Sequence, residues 1–488
     1  MRKQVYNPYL PSYEYVPDGE PHVFDDRIYL YGSHDRFHGA GFCLNDYICY
    51  SANIHDLTDW RYEGVIYRKE QDPRNQNISK SAVHAMWAPD VVKGLDGKYY
   101  LYYCLDFLPE IAVAVCDSPA GKYNFLGFVK HEDGILLGDR QDDLEQFDPG
   151  VFIDDNGMIY LYSGNAPMKK ENDYGKQGSQ VMRLMPDMVT LAEEPRKLIP
   201  DVLNSKGTGF EGHEFFEASS VRKVHGKYYF VYSSVQSHEL CYAVSNKPDA
   251  GYLYGGTLVD IGDVFLKGRT EKEAVNCLGN THGGIEKIGK QWYVFYHRQT
   301  NRTNFSRQGC AEKIYFSEKG TISQAEVTSC GLNDGPLEGK GMYPARICCH
   351  LTAANGIVFS HPDIMKMDYP YLTQDDSDLE PTEELMHRDS KEAVQYIKNM
   401  QNGSTAGFKY FSFQNLKSIS VRVRGCAEGM IDIKASIKGD ILGCIPVNIN
   451  RREWQEFDGN VFINNGVAAL YFTFKGNGSF DFQSFHLQ

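Results

Sequence analysis

The chain has 488 residues and a net charge of −14, enough for one large folded unit and a smaller companion, and its acidity excludes the basic stripe that a nucleic-acid partner needs. Its 33 Tyr and 27 Phe beside only 4 Trp favour strands and suit sugar binding, because aromatic rings stack on the C–H faces of sugars. No run is apolar enough to span a membrane, the first residues Met-Arg-Lys-Gln-Val-Tyr-Asn-Pro lack the apolar centre of a signal peptide, and the 12 Cys form no Cys-x-x-Cys pair; the expectation is a cytoplasmic protein with reduced thiols, no zinc site and no membrane partner.

In chain order, five stretches read as the same hairpin of two aromatic or β-branched strands: 18–31, 88–102, 148–162, 217–232 and 282–296. The fourth turns at His225-Gly226, a dipeptide suited to a tight hairpin turn. Counting back from the tyrosine that leads each second strand aligns the copies. An offset of twelve leads from Tyr100 to Ala88, from Tyr160 to Asp148 and from Tyr229 to Glu217, and an offset of eleven leads from Tyr29 to Asp18 and from Tyr293 to His282. The openings lie 60 to 70 residues apart, room for about four strands each. Five such units predict an all-β, five-bladed propeller in which the opening residues line the axis and converge on one central pit.

Phe305–Phe316 and Ile322–Cys330 read as the strands that close the ring, and the glycine-rich run up to residue 355 is placed with it. The acidic, turn-prone stretch Gln374–Glu384 reads as a connector. From about residue 391 short alternating strands such as Ser418–Gly425, Met430–Ile437 and Ala469–Phe474 predict a small β-sandwich. The expected domains are therefore a propeller over 1–355 and a β-sandwich over 356–488.

Hydrolysis of a glycosidic bond takes two carboxyl groups on opposite sides of the sugar, one protonated and one ionised. Glu217 follows two Phe and precedes Ala, surroundings that would keep it protonated as a general acid. Asp18 is the proposed base, and Glu20 competes for that role; the offset from Tyr29 favours Asp18. Asp148 would act by charge, raising the pKa of the acid. His282 reads either as a ligand for a metal or water or as a hydrogen-bonded core histidine. The second copy places Ala88 at the equivalent position with Trp87 before it, leaving room for a sugar and a ring to stack on. No Gly-x-Ser-x-Gly, His-Glu-x-x-His, phosphate loop or dinucleotide fingerprint is present, so no organic cofactor is expected.

Met86-Trp-Ala-Pro-Asp-Val91, Phe147-Asp-Pro-Gly150, Glu217-Ala-Ser-Ser220 and Ser306-Arg-Gln-Gly309 resemble the blade motifs of glycoside hydrolase family 43 over about residues 1–355. The resemblance implies a five-bladed propeller and inverting hydrolysis of α-L-arabinofuranosyl or β-D-xylosyl linkages in small oligosaccharides. Asp18 would be the general base, Asp148 the pKa modulator and Glu217 the general acid. It also implies that Trp87 and Arg307 bind substrate and that His282 lies near a calcium ion on the axis. The spacing Asp18-Gly-Glu-Pro departs from the family's usual Asp-Pro. The tail, with Thr405–Tyr410, Val421–Gly425, Trp454 and Gly478–Phe482, resembles a family 6 carbohydrate-binding module. The rival readings are a β-xylosidase, a non-catalytic sugar-binding protein and a fructoside-active relative.

Overall fold

A computed structural model describes residues 3–359, 369–375 and 394–488. Five antiparallel sheets follow one another along the chain, over residues 20–67, 86–128, 150–197, 215–260 and 285–314, each a meander of consecutive strands. Their first strands, Glu20–Phe24, Met86–Lys93, Gly150–Ile153, Phe215–Val224 and Ile285–Ile288, contact one another in a ring, and Gly19 bridges Gly283 to close it. This is the expected five-bladed propeller.

The aromatic strands explain why the blades stack. Alternate residues of a strand face opposite sides of its sheet, so a blade flanked by two others needs apolar residues on both faces. The apolar clusters sit accordingly between neighbours: Tyr31, Tyr47 and Tyr103 join blades one and two, Tyr162, Phe230 and Tyr232 join three and four, and Val16, Ile28 and Phe295 join five and one.

Blade five has three strands, not four. The expected closing strand over 322–330 makes only isolated bridges, Phe316 to Ile322 and Val259 to Ala325. The edge strand Arg307–Ile314 is covered instead by the N-terminal segment. The Asn7 side chain donates to Ala311 O at 2.9 Å and accepts from Ala311 N at 3.0 Å, and Gln308 Nε2 donates to Ser12 O and Glu14 O. A side-chain amide thus satisfies backbone groups that a fourth strand would have paired.

The second unit is a curled sheet of nine strands among the described residues. Leu337–Glu338, Gly341–Pro344 and His350–Thr352, placed with the propeller in the sequence reading, hydrogen-bond to the C-terminal strands Thr405–Phe413 and Gly466–Leu487. The expected short strands are also longer than read: Ser418–Lys434, Gly443–Asn460 and Gly466–Leu487 run 17, 18 and 22 residues. Bends inside them account for the difference, for example the bulge between Val423 and Gly425, where Gly425 has a φ of 139°. Phe408, Phe411, Phe472, Phe482 and Phe485 fill the core that the curl encloses. Most of the predicted acidic connector, from residue 376 on, lies outside the described residues.

Polar contacts lock the two units together. Lys409, from Thr405–Phe413, buries its ammonium 3.2 Å from Asp263 and 2.9 Å from Glu326 of the propeller. The buried guanidinium of Arg298, in blade five, donates to the carbonyls of Arg346 and Cys348, and Tyr15 donates to Gln374 at 2.5 Å.

Candidate active site

The first strands of the blades run the same way along the axis, so their residues form successive layers. Asp18, Asp148 and His282 form one layer, with Glu20, Asp90 and Gly284 two residues further on. The backbone reports the layer directly. Asp18, Ala88 and Asp148 adopt positive φ of 55°, 29° and 44°, a conformation that costs non-glycine residues roughly 1–3 kcal/mol and that re-aims the side chains around it.

In blade four the positive φ, 71°, falls on Ala218 and not on Glu217. The register derived from Tyr229 is therefore corrected by one residue. Blade four has the two-residue turn of blades one and five, Val224 pairing with Lys227 as Phe24 pairs with Arg27 and Ile288 with Gln291. The offset of eleven then applies and leads to Ala218. Glu217 is instead the counterpart of Trp87 and Phe147, the residues before the strained position in blades two and three. Trp87 pairs with Cys104 and Glu217 with Ser233, each two residues beyond the partner of the next layer. In blades two, three and four the residue before the strained position, Trp87, Phe147 or Glu217, lines the pit, and blade four supplies its carboxylate from there.

These residues line a cavity of about 1040 Å³ whose walls include Asp18, Trp87, Phe147, Asp148, Glu217, His282 and Arg307. The sequence-predicted residues are therefore brought together, and Glu20 and Ala88 are not on the wall. Glu20 lies one layer down, its Oε2 3.0 Å from Ser220 Oγ and 3.3 Å from Arg222, whose guanidinium also donates to Pro21 O. His22 bonds Asp90 at 2.6 Å in the same layer. The buried carboxylates of Glu20 and Asp90 and the half-buried Arg222 beside them occupy the axis below the cavity, which is consequently a pit.

The electrostatics separate the three acids. Burial pushes the Asp18 carboxyl up, but Arg307, 3.0 Å away, together with His297, His282 and Ser33 outweighs it and holds Asp18 below the ordinary carboxylate value. Among the described residues no cation is bonded to Glu217; burial, then the nearby Asp148 and Asp18, push it well above the ordinary value. Asp148 is raised by burial, opposed by His282, whose Nδ1 lies 3.4 Å from it. His282 is discouraged from charging by burial, yet Asp148 and Asp18 lift its pKa to about 9. The directions divide the roles: the ionised form is favoured at Asp18, the protonated form at Glu217, and Asp148 is paired with His282.

Sequence reasoning missed the supports of this arrangement. Arg307 is fixed by Asp35, which accepts from its Nε at 2.9 Å, from NH2 at 3.0 Å and from its backbone N–H at 3.0 Å. The Asp18 amide donates to His297 Nδ1 at 3.2 Å. Phe147 meets Trp87 edge to face at 5.3 Å, and Phe42 lies under the Arg307 guanidinium at 4.8 Å. His297 ends the apolar run Trp292-Tyr-Val-Phe-Tyr296 of its strand, and that was a readable signal; Asp35 lies past the end of its hairpin and had none.

The calcium expected at His282 finds poor chemistry there, because calcium takes oxygen ligands and this ring is held protonated against a carboxylate. Oxygen donors do converge in the next layer, where ligand atoms of Glu20, His22 and Asp90 lie within 4.8 Å of one another and Glu20 Oε1 has no hydrogen-bond partner. Arg222 already places a positive charge beside them.

The sequence profile described as "Glycosyl hydrolases family 43" matches residues 14–322. A protein named "Xylosidase/arabinosidase" from Thermoclostridium stercorarium is 48% identical over 492 residues, covering 100% of this chain and 99% of its own. An "Arabinoxylan arabinofuranohydrolase" from Paenibacillus polymyxa is 25% identical over 94% of this chain and 70% of its own. Among solved structures, a family 43 arabinoxylan arabinofuranohydrolase from Bacillus subtilis in complex with cellotetraose superposes with a TM-score of 0.50 at 20% identity, over 98% of this chain and 96% of that one; this likeness is one of fold.

Proposed function

Since the chain belongs to family 43 of the glycosyl hydrolases and is a glycoside hydrolase, we propose that it is an inverting exo-enzyme that releases α-L-arabinofuranosyl residues from arabinoxylan-derived oligosaccharides. The observation that carries the mechanism is the opposite perturbation of two acids on one pit wall, Asp18 shifted toward its ionised form and Glu217 toward its protonated form.

Asp18 takes a proton from a water as that water's oxygen bonds to the anomeric carbon. On the other side Glu217 gives its proton to the glycosidic oxygen as the carbon–oxygen bond breaks, so the anomeric configuration inverts. Asp148 keeps Glu217 protonated by its charge and is itself steadied by His282. Arg307, whose hydrogen bonds go to Asp18 and Asp35, keeps the base ionised and in place, and reaches the sugar from the same position. Trp87 and Phe147 supply apolar walls for the sugar's C–H faces. If a calcium ion belongs to this enzyme, Glu20 and Asp90 are the residues to hold it, and no step above depends on it.

A pit with a filled floor suits removal of a terminal sugar. The names of the two relatives support arabinose, and the first of them covers xylose as well. Twelve free cysteines suit the cytoplasm, where the substrates would be short imported oligosaccharides. We assign the C-terminal sheet to buttressing the propeller; one face of Trp454, offered by its resemblance to a binding module, is covered by Arg424 at 4.4 Å.

The test is turnover of p-nitrophenyl α-L-arabinofuranoside, p-nitrophenyl β-D-xyloside and an arabinoxylan oligosaccharide. Arabinose release is expected, dominant xylose release moves the assignment to a β-xylosidase, and no release from any of the three overturns it.

A further inference from the structure

His238 lies on the wall of the same cavity, near the general acid, and the mechanism above gives it no role. Its side chain is 3% exposed. It sits on the connection between the second and third strands of blade four, five residues past Ser233, the strand partner of Glu217. The ring is fixed on one side: Nδ1 bonds Asp260 Oδ2 at 2.5 Å, and the other oxygen of that buried carboxylate accepts from the backbone of Gly262 and Val264. The loop is fixed too. Ser237 holds a φ of 65° and donates its N–H to Ser234 O, while its own carbonyl accepts from Thr281, the neighbour of His282.

Nε2 is the atom left over. It makes no hydrogen bond among the described residues and stands 3.7 Å from Glu271 Oε1, a carboxylate that is 50% exposed and also lines the cavity. An imidazole anchored through one nitrogen by a buried acid, with the second nitrogen open to a sugar-sized cavity, is built to meet a polar group. A hydroxyl is such a group, because it can donate or accept whichever protonation state the ring adopts. Glu271 beside it can accept from a second hydroxyl.

Glu217 donates its proton to the leaving-group oxygen, so the leaving sugar must lie against blade four. We infer that His238, with Glu271 at the rim, binds hydroxyl groups of the sugar on the leaving side of the scissile bond, and that Asp260 is the residue that positions it. This rests on Glu217 being the acid, and it assigns recognition of the leaving group to residues apart from the catalytic acids.

The experiment compares kcat and KM of the wild type, His238→Ala and Glu271→Gln on two substrates with the same glycone, an arabinoxylan oligosaccharide and the p-nitrophenyl glycoside, whose leaving group has no sugar hydroxyls. The expected result is a loss of kcat/KM of about 10-fold in His238→Ala on the oligosaccharide, the size of one lost hydrogen bond, carried mainly by KM, with less than 2-fold change on the aryl glycoside. Glu271→Gln, at a half-exposed position that folding tolerates, should show the same selectivity more weakly. Equal losses on both substrates, or no loss on the oligosaccharide in either variant, overturn the inference. A wild type that cleaves neither substrate overturns the proposed function instead.

Discussion

At the residue scale, function turns on the neighbours that each acid has. Asp18 is buried and Glu217 half-buried, and desolvation raises both; Arg307 with His297 and His282 brings Asp18 down, while Asp148 pushes Glu217 further up. Glu217→Gln is therefore expected to lower kcat by about 10²–10⁴-fold, the usual share of a general acid, with the fold intact by circular dichroism. The pH profile follows from the signs. With Asp18 as the proposed base, activity should be lost as pH falls through its lowered pKa; with Glu217 as the proposed acid, it should be lost as pH rises through its raised pKa. Asp148→Asn removes a charge that holds the proton on Glu217, so the basic limb of kcat/KM against pH should move to lower pH while the acid limb changes less. An unmoved basic limb would show that burial alone sets the pKa of the acid. Asp18, Asp148 and Glu217 were legible because an acid at the mouth of a repeated hairpin is chemically conspicuous. Asp35 and His238 were not, since nothing in the sequence shows that their loops fold back onto the pit.

At the scale of the element, the blade's first strand positions everything. The residue before its strained position reaches the wall in blades two, three and four, as Trp87, Phe147 and Glu217, one position ahead of the residues aligned with Asp18. Turn length misled the sequence register here, because His225-Gly226 makes a two-residue turn where blades two and three use longer ones. Positive φ at Ala218 is a consequence of tertiary packing and leaves no mark in the sequence. The layer below can be tested through Gly284, where a Cβ would come within 2.7 Å of Glu20 Oε2 and 2.8 Å of Ser220 Oγ. Gly284→Ala should destabilise the protein by roughly 1–3 kcal/mol, the cost of overpacking, read as a lower midpoint in urea. An unchanged midpoint would mean that this layer yields freely and does not brace the pit floor.

At the scale of the whole molecule, propeller and C-terminal sheet form a joined structure. The periodicity of the hairpins made the number of blades readable, whereas the junction was obscured: strands near residues 337–352 look like more propeller and pair with the distant C-terminal segment. Lys409 binds the two units by charge, and replacing it leaves the buried Asp263 with Arg269, 3.4 Å away, as its cation. Lys409→Met should cost about 1.5–3 kcal/mol, the range for hydrogen bonds to charged groups, seen as a lower Tm, and activity at ambient temperature should survive if the fold does. A wild-type Tm would show that the junction is held by the other contacts.

The account's central claim is that the ring of blades brings an ionised Asp18 and a protonated Glu217 to opposite sides of one glycosidic bond, with a water between base and sugar. The most direct measurement is proton NMR of the sugar first released, before mutarotation, from an α-L-arabinofuranoside or, should that be the preferred substrate, a β-D-xyloside. The account predicts the inverted anomer in the first spectra, whereas release of the retained anomer would contradict direct attack by water and, with it, the assignment of Asp18 as base.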